Sequence, residues 1–440
     1  MAYFYLILAV DFLLAVGVGA AIVKLLLVVA YKNRLFDIPD ERKVHIIPVP
    51  RLGGMSFMPT LMIVIAFSIG FLYRLGIMEA PNPDAAMIIR LAYMLGSAML
   101  LYVLGILDDL SDLNYKMKFL VQFLASSLLV SSGLWLNNFY GLFGIERIPF
   151  YIGMPFTVLL FMFITNAINM IDGIDGLASG LAMITLGILS FIYIRERRFI
   201  YSTVSITMLG TVLAFWLYNM LGSPQKKSKL YMGDTGSLTL GLIICFLIVS
   251  LCSFMGHNGF ITNGKYIIIV FSSLLIPLLD VIRLFATRLI KHKSPFKADD
   301  NHIHHRLMRC GLSARQTLFV ILAMDVVIVL LNVLMTRLFN RWHLPDVTAF
   351  LIAGVLIGPF VLGRIGGGVI GFSTYEEVAG FDVVNQVAMG FIAFSIGSEF
   401  RLSQLKKTGR QALVIGVVQS VFAALMVDAA LIAFHFRTGK

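Results

Sequence analysis

Long apolar runs dominate the chain, and short polar stretches separate them. The runs cover roughly 4–30, 55–76, 87–106, 118–136, 150–168, 178–194, 200–220, 238–256, 266–290 and 317–338. Each run is close to the ~20 residues that a helix needs to cross about 30 Å of hydrocarbon. The pattern predicts an all-α, polytopic helical membrane protein with about ten transmembrane helices here, and two or three more in the tail. A β-barrel would show shorter segments of alternating polarity instead.

The first apolar run sets the predicted orientation. It extends from about Phe4 to Ala30, too long for a signal-peptide core, and its basic flank, Lys32 and Arg34, follows it. Because basic residues concentrate in cytoplasmic loops, the N-terminus is predicted to lie outside. Counting spans then places the polar stretches 31–54, 107–117, 169–177, 221–237 and 291–316 in the cytoplasm. The basic segment 195–198 falls outside and is an exception to the rule.

Composition supports this class of protein. Apolar residues make up 59% and charged residues 13% of the 440 residues, whereas soluble domains are about one quarter charged. The net charge of +11 does not indicate nucleic-acid binding, because the basic residues lie in short loops between spans. The same charge suits a phosphate-rich substrate. Cys245, Cys252 and Cys310 have no metal-binding spacing.

A pair of carboxylates follows the third span. Asp108 and Asp109 are joined by Asp112 three residues on, and Lys118 and Gln122 lie one helical turn apart beyond them. Paired carboxylates at the end of a span bind a hard divalent cation or accept a proton. The alternative is a solvated loop with an acidic helix cap, and this pattern alone does not separate the two.

A second polar cluster ends the fifth span. Asn166, Asn169 and Asp172 lie three residues apart, so they share one face while the helix lasts. Glycines on both sides of Asp175 release the backbone into a tight turn that can approach a nucleotide or phosphate closely. The alternative is a glycine-rich loop capped by Asn and Asp.

A third cluster opens the eighth span. Residues 233–237 read Gly-Asp-Thr-Gly-Ser and lead directly into an apolar helix. A carboxylate, Asp234, beside the free N–H groups of a helix N-terminus suits a phosphate with a bridging metal. Alternatively, Asp234 or Ser237 only caps the helix.

A fourth cluster contains three histidines within four residues. His302, His304 and His305 are flanked by Lys297 and Arg306. They could bind zinc, but no Cys or Glu completes a ligand set at a recognised spacing. Donors and cations gathered in this way suit a pyrophosphate better. A plain surface loop remains the third interpretation.

The loop after the first span is basic and stiffened by proline. It contains Arg42, Lys43 and His45, followed by Pro50-Arg51-Leu-Gly-Gly. The loop either serves only to orient the first span or contacts an anionic lipid phosphate.

Five motifs, in this order, carry a resemblance to a known family. They are R-K-x-H…P-R-x-G-G, D-D-x-x-x-L-x-x-x-x-K, N-x-x-N-x-x-D-G-x-D-G-L, G-D-x-G-S and the histidine loop. Residues 1 to about 320 resemble the polyprenyl-phosphate N-acetylhexosamine-1-phosphate transferase superfamily. The histidine loop, preceded by Ser294-Pro-Phe, resembles the WecA-like branch, which uses UDP-GlcNAc or related donors. That branch starts O-antigen, enterobacterial-common-antigen or teichoic-acid chains.

The resemblance implies roles for the acidic residues. Asn169 and Asp234 would be ligands of Mg²⁺, with Mn²⁺ as an alternative. Asp108 and Asp109 would deprotonate or position the lipid phosphate, and with Asp234 they form the implied catalytic set.

The other matched residues would bind substrate, and they are Lys118, Asn166, Asp172, Asp175, Asn219, His302, His304, His305 and Arg306. Asp172 and Asp175 would shape the nucleotide pocket. The histidines and Arg306 would hold the diphosphate. Lys118 and Asn219 match family positions whose roles are less defined.

The implied reaction transfers a HexNAc 1-phosphate, with GlcNAc 1-phosphate expected, from a UDP-sugar to undecaprenyl phosphate. The lipid phosphate attacks the β-phosphorus and UMP leaves, which brings two anions together, so catalysis is mostly positioning and charge neutralisation. Direct attack is favoured over an aspartyl intermediate. The implied partners are the UDP-HexNAc, the lipid phosphate and the bilayer, with no nucleic acid and a homodimer left open. The implied location is the bacterial inner (cytoplasmic) membrane, with the active site on the cytoplasmic face.

Two other functions compete. A phospho-MurNAc-pentapeptide translocase typically carries an acidic residue after its run of histidines, which this chain lacks. A cation/proton transporter needs ionisable groups within its spans, but Asp11, Asp280, Asp325 and Asp428 form no evident relay. Asp280, three residues after Pro277, matches a family position.

The last hundred residues depart from the transferase pattern. Residues 343–359 and 390–400 resemble the opening helices of cation/proton antiporters. The later helices that hold the antiporters' ion-binding aspartate have no counterpart here, so transport is not predicted. The predicted division is a transferase membrane domain at 1–338 and a partial antiporter-like membrane tail at 339–440.

Overall fold

The computed structural model describes residues 2–35, 48–74, 85–111, 113–138, 148–255, 265–290 and 301–341. In these ranges the chain forms α-helices and one short 3₁₀ helix, Gly53–Ser56. The helices are α1 (Ala2–Asn33), α2 (Phe57–Arg74), α3 (Ala85–Ser111), α4 (Tyr115–Ser131), α5 (Phe150–Ile171), α6 (Leu177–Arg195), α7 (Phe199–Leu221), α8 (Gly233–Met255), α9 (Lys265–Ser272), α10 (Leu275–Ile290), α11 (Ile303–Arg309) and α12 (Ala314–Arg341).

The helices match the predicted spans in number and order. Eight of them, α1–α3, α5–α8 and α12, are long and apolar enough to cross a membrane, and the bent pair of α9 and α10 brings the number to nine if it crosses as one span. The remaining predicted span is α4, which is shorter at 17 residues. The prediction of an all-α polytopic membrane protein is confirmed. The spans predicted in the tail lie outside the described residues.

The ninth span differs from its prediction as one straight helix over 266–290. It bends by 60° between α9 and α10. Pro277 lies in the first turn of α10, where its missing N–H removes one helical hydrogen bond and its ring collides with the carbonyl of Ser273 in a continuous helix. The Ser273 hydroxyl bonds back to the Val270 carbonyl at 2.7 Å. The proline therefore accounts for the break between α9 and α10, which the continuous apolar run at 266–290 does not indicate.

Helix α8 is the centre of the bundle. Its membrane-crossing window is entirely buried, and α3 and α5 pack on it. A side chain at Gly105 of α3 would collide with the backbone of Thr235, and one at Gly241 of α8 would collide with Thr165 of α5. Glycine at these crossings lets the helices approach closely. The start of α8 therefore lies beside the end of α3.

The proline-stiffened loop after α1 is joined to the loop before α8 by backbone hydrogen bonds. Tyr231 donates its N–H to the Pro50 carbonyl at 2.8 Å, and Gly53 and Gly54 donate to the carbonyls of Tyr231 and Met232 at 2.9 and 2.8 Å. A side chain at Gly54 would strike the Gly236 backbone. This part of the loop thus braces the start of α8. The basic residues at 42, 43 and 45 lie outside the described residues.

Candidate active site

Two carboxylates share one lysine where α3, α4 and α8 meet. Lys118 donates to Asp234 Oδ2 at 2.8 Å and forms an ion pair with Asp108. Asp108 is buried, and its Oδ1 accepts the N–H of Leu113 at 2.8 Å. The structure therefore brings Asp234 to Asp108 and to Lys118, from which it is 116 positions distant in the sequence. One ammonium group against two carboxylates leaves negative charge that a further cation would offset.

Asp109 has a different environment from its neighbour. Its Oδ1 accepts the N–H of Asp234 at 2.8 Å, and its Oδ2 accepts the N–H and hydroxyl of Thr235 at 3.0 and 2.6 Å. These N–H groups have no partner inside α8, so Asp109 caps that helix from α3. Gly233 has φ of +72° and lies so close to the Asp109 carboxylate that a Cβ would strike it. Asp109 therefore positions Asp234.

Asn169, at the end of α5, holds Asp234 from the other side. Its Nδ2 donates to Asp234 Oδ1 at 3.0 Å and to the Ser237 hydroxyl at 2.8 Å. Both donations use the amide nitrogen, so the oxygen remains available as a ligand. Asp234 is thus fixed by Lys118 on one oxygen and by Asn169 on the other.

Asn166 lies one turn earlier and pairs with Gln122. Each amide donates to the other, with 2.6 Å from Asn166 Nδ2 and 3.3 Å from Gln122 Nε2. This reciprocal pair joins α5 to α4, the helix that carries Lys118. The described contacts of Asn166 therefore brace the site.

Asp172 follows α5 and lies near other carboxylates of the site. We call the group of Asp108, Asp109, Asp172 and Asp234 the acidic cluster. Removal from water, followed by the nearby carboxylates of Asp234, Asp175 and Asp109, raises its pKa to about 7, while Arg51 opposes the shift. A pKa near 7 means that the carboxyl group is half protonated at neutral pH. A cation bound among these groups would lower it again.

The residues at the start of α8 fit a magnesium ion. Their donors are carboxylate and amide oxygens, the atoms that Mg²⁺ prefers. Within the described ranges, no three His, Cys, Asp or Glu side chains converge into a ready-made cage. Mg²⁺ is usually held by one or two carboxylates together with substrate phosphates and water, so a cage is not required. Asp234 and Asn169 are the residues that would hold it.

A cavity of about 380 Å³ opens between the turn that carries Asp175 and the loop after α7. Its lining includes Asp175, Gln225, Lys229 and Arg315. Lys229 donates to Asp175 Oδ2 at 2.5 Å and is largely buried. Sequence reasoning missed Lys229, whose only signal was a lysine just before the Gly-Asp motif in a predicted cytoplasmic loop.

Asn219 shapes the turn that carries Asp175. Its Oδ1 accepts the N–H of Gly176 at 2.6 Å, and its Nδ2 donates to the Leu230 carbonyl at 2.9 Å. Gly176 has φ of +76°, and a Cβ there would meet Trp216. Asn219 therefore joins two loops of the site while its own side chain is buried.

The histidines occupy α11 and the residue before it. His304 is 1% exposed and packs so closely on Gly173 that a Cβ there would strike its ring. Burial, followed by the neighbouring His305 and His302, lowers the pKa of His304 to about 3, so the ring is neutral at physiological pH. Gly173 follows Asp172, so the histidine segment abuts the acidic cluster.

The other residues of this segment are more accessible. His302 and His305 are half-buried, and Arg306 is exposed. In the part of the chain that the structure describes, the histidines form no group with acidic or thiol side chains that could hold a metal ion. Lys297 and Asp112 lie outside the described residues.

Fold and site together define a multi-pass membrane protein that gathers carboxylates, a lysine and histidines at one set of helix ends. Residues 91–252 match the model of glycosyl transferase family 4, and residues 326–436 match that of the sodium/hydrogen exchanger transmembrane region. The chain belongs to the family of polyprenyl-phosphate N-acetylhexosamine-1-phosphate transferases and is a phosphotransferase. The resemblance seen in the motifs, including that of the tail, is confirmed.

Three curated relatives support this assignment. A probable undecaprenyl-phosphate N-acetylglucosaminyl 1-phosphate transferase of Bacillus subtilis (strain 168) is 36% identical over 295 residues, 67% of this chain and 75% of the relative. An undecaprenyl-phosphate alpha-N-acetylglucosaminyl 1-phosphate transferase of Yersinia pestis is 29% identical, over 75% and 85%. A decaprenyl-phosphate N-acetylglucosaminephosphotransferase of Mycobacterium leprae (strain TN) is 28% identical, over 78% and 87%.

Proposed function

We propose that the protein transfers GlcNAc 1-phosphate from UDP-GlcNAc to undecaprenyl phosphate and releases UMP. The product is a lipid diphosphate sugar, the first membrane intermediate of a cell-envelope glycan. The activities in the names of the relatives from Bacillus subtilis and Yersinia pestis support both the sugar and the lipid. We place the protein in the bacterial inner membrane, with its site on the cytoplasmic face.

One observation carries the proposal. Asp234 opens α8 and is fixed by Lys118 on one oxygen and by Asn169 on the other, beside the buried carboxylate of Asp108. The ends of α3 and α5, the start of α8 and helix α4 thus place carboxylates and an ammonium group close together. A scaffold protein has no need for this arrangement, whose burial is costly in a membrane.

The chain's own residues would position two anions. Lys118 neutralises charge between Asp108 and Asp234, and the histidine segment supplies donors to the diphosphate. Asp234 and Asn169 would hold Mg²⁺, which would supply charge neutralisation on the phosphates. Asp108, next to Lys118, is the carboxylate placed to accept or position the proton of the lipid phosphate.

The reaction follows from this placement. An oxygen of the lipid phosphate forms a bond to the β-phosphorus of the UDP-sugar, and the bond from that phosphorus to the bridging oxygen breaks. UMP leaves with the electron pair. Direct displacement needs no covalent enzyme intermediate, and Asp108 and Asp234 already engage Lys118.

We propose that the cavity beside Asp175 and Lys229 receives the nucleotide. It adjoins the turn of Gly176, and its polar lining offers donors and acceptors of the kind that a base and ribose need.

The direct test is an assay of purified full-length protein with undecaprenyl phosphate and a panel of UDP-sugars. We expect UMP release with UDP-GlcNAc and none with UDP-MurNAc-pentapeptide. Efficient use of the pentapeptide donor would move the protein to the translocase branch. No release with any UDP-HexNAc would overturn the proposal.

We assign residues 1–338 to the transferase and 339–440 to an antiporter-like tail. The exchanger match at 326–436 supports the boundary, and the site residues lie before it. The match begins at residue 326 and therefore overlaps the last part of α12, which we assign to the transferase domain.

A further inference from the structure

Asp280 of α10 is a buried carboxylate with three hydrogen-bond donors. Its side chain is 1% exposed. Oδ2 accepts from His302 Nδ1 at 2.8 Å, while Oδ1 accepts from Arg283 at 2.9 Å and from the N–H of Ile303 at 3.0 Å. Two of these three donors belong to the histidine segment.

Arg283 extends the contact. Besides Asp280, it donates to the carbonyl of Asn301. The pair on α10 therefore holds three consecutive residues, 301–303, at the start of α11. Because α11 has only seven residues, it gains little stability by itself, and its position depends on such contacts.

The contact also selects one form of the His302 ring. In a neutral imidazole, the nitrogen that faces a carboxylate carries the proton, so Nδ1 is the donor and Nε2 is left as the acceptor. His302 stacks on His304 with ring centroids 5.5 Å apart and planes 17° apart. His304 in turn packs on Gly173, beside the acidic cluster.

We propose that Asp280, assisted by Arg283, is a positioning residue of the transferase that fixes the place and tautomer of His302. This inference rests on the proposed role of the histidine segment in holding the diphosphate. Asp280 acts through His302 and touches no substrate. The Asp280–Arg283 pair couples the bent ninth span to the active site.

A purely structural role is the competing explanation. A buried carboxylate with three donors stabilises a fold wherever it occurs, and removing one partner of such a group is destabilising. The two explanations differ in coupling. If Asp280 acts through His302, its removal has little effect once the His302 ring is gone, whereas a stabilising contact acts independently.

The experiment is a double-mutant cycle on the full-length protein in matched membranes. Asp280→Asn retains one acceptor oxygen, which cannot serve three donors. We expect kcat/KM for UDP-GlcNAc to fall about tenfold or more per folded molecule, with His302→Ala at least as slow. The double variant should be no slower than about twofold below His302→Ala.

The matched control is Asp11→Asn. Asp11 of α1 is also 1% exposed, and the hydroxyls of Ser68 and Thr203 donate to it at 3.0 and 3.4 Å. Asparagine accepts both of these bonds, so kcat/KM should stay within about twofold of wild type. A loss like that of Asp280→Asn would show that kcat/KM per folded molecule also depends on a buried carboxylate with no contact to the histidine segment, and it would overturn the inference.

The remaining outcomes are decisive. Independent, multiplicative losses in the cycle would make Asp280 a structural residue only. Wild-type turnover by His302→Ala would instead overturn the diphosphate role of the histidine, which belongs to the proposed function.

If Asp280→Asn does not fold, Arg283→Lys replaces it in the cycle, because lysine keeps the charge but lacks the planar fork. The decrease in kcat/KM caused by Arg283→Lys should likewise disappear in the His302→Ala background, and a decrease that persists would overturn the inference.

Discussion

The acidic cluster and the histidine segment are held in place by different means. The acidic cluster lies at helix ends that glycines bring together, and Asp109 of α3 caps α8 through both oxygens. The histidine segment is a seven-residue helix anchored through side chains, chiefly Asp280 and Arg283. The acidic cluster is therefore as rigid as the packed helices that carry it, while the histidine segment can shift when one contact is lost.

The difference matches the demands of the proposed chemistry. Charge develops at the metal and the transferred phosphoryl group, where preorganised groups contribute most. The UDP-sugar must enter and UMP must leave, so donors on a short, locally tethered helix suit the binding of the diphosphate. Changes in the acidic cluster should therefore reduce turnover most. Changes in the histidine segment should have smaller effects, confined to the binding of the diphosphate.

Removal of the divalent cation should have the largest effect. We expect EDTA to reduce UMP release to background and either Mg²⁺ or Mn²⁺ to restore it, because carboxylate and amide oxygens suit hard cations. Purified protein is assayed after chelation, with each metal added back separately. Rescue by Zn²⁺ alone would move the metal site from the acidic cluster to the histidines.

Asp234→Asn should come next. The change removes one negative charge where the metal is held and breaks the ion pair with Lys118. We expect kcat to fall at least about a hundredfold, equivalent to about 3 kcal/mol. Steady-state kinetics at saturating Mg²⁺ provide the measurement, with Asp325→Asn, a buried carboxylate on α12, as a control. Near-wild-type turnover would remove Asp234 from the ligand set.

Asp109→Ala tests whether the α8 cap positions Asp234. Loss of three hydrogen bonds at the start of α8 should cost about 1–2 kcal/mol of stability. We also expect roughly tenfold slower turnover, since Asp234 shifts with its helix. Thermal unfolding and kinetics are compared with Asp109→Asn, which keeps one acceptor and should lose less. Lower stability with unchanged kcat would separate the cap from catalysis.

His304 predicts a pH-dependent stability in the histidine segment. Its folded pKa of about 3 lies below the usual value of 6.5, so the unfolded state binds more protons in acid. The stability is complete above about pH 6.5 and falls by about 1 kcal/mol per pH unit toward pH 4. Thermal unfolding across this range is compared with His304→Gln, which cannot titrate. Parallel pH profiles for the two proteins would contradict the buried, neutral histidine.

Apolar run length was sufficient to predict the spans, because hydrocarbon thickness fixes helix length. Counting spans also predicted that Asp108, Asn169 and Asp234 lie on the same side of the membrane. The cap by Asp109 and the Asp175–Lys229 pair did not, since they depend on how closely α3, α8 and the loops approach. Adjacent carboxylates look identical in sequence, and only the N-terminus of α8 distinguishes Asp109 from Asp108.

The smallest effect is expected from deleting residues 342–440. The residues that we place in the acidic cluster and the histidine segment lie between Arg51 and Arg306, so the tail supplies none of the assigned groups to either region. Turnover per folded molecule should stay within about twofold of the full-length protein. Some loss of yield is expected, because apolar spans that end a bundle commonly contribute packing. The comparison uses matched membranes, with folded protein counted by UDP-GlcNAc binding. A truncated protein that binds UDP-GlcNAc but releases no UMP would assign the tail a part in lipid access or catalysis, and the boundary at 338 would be wrong.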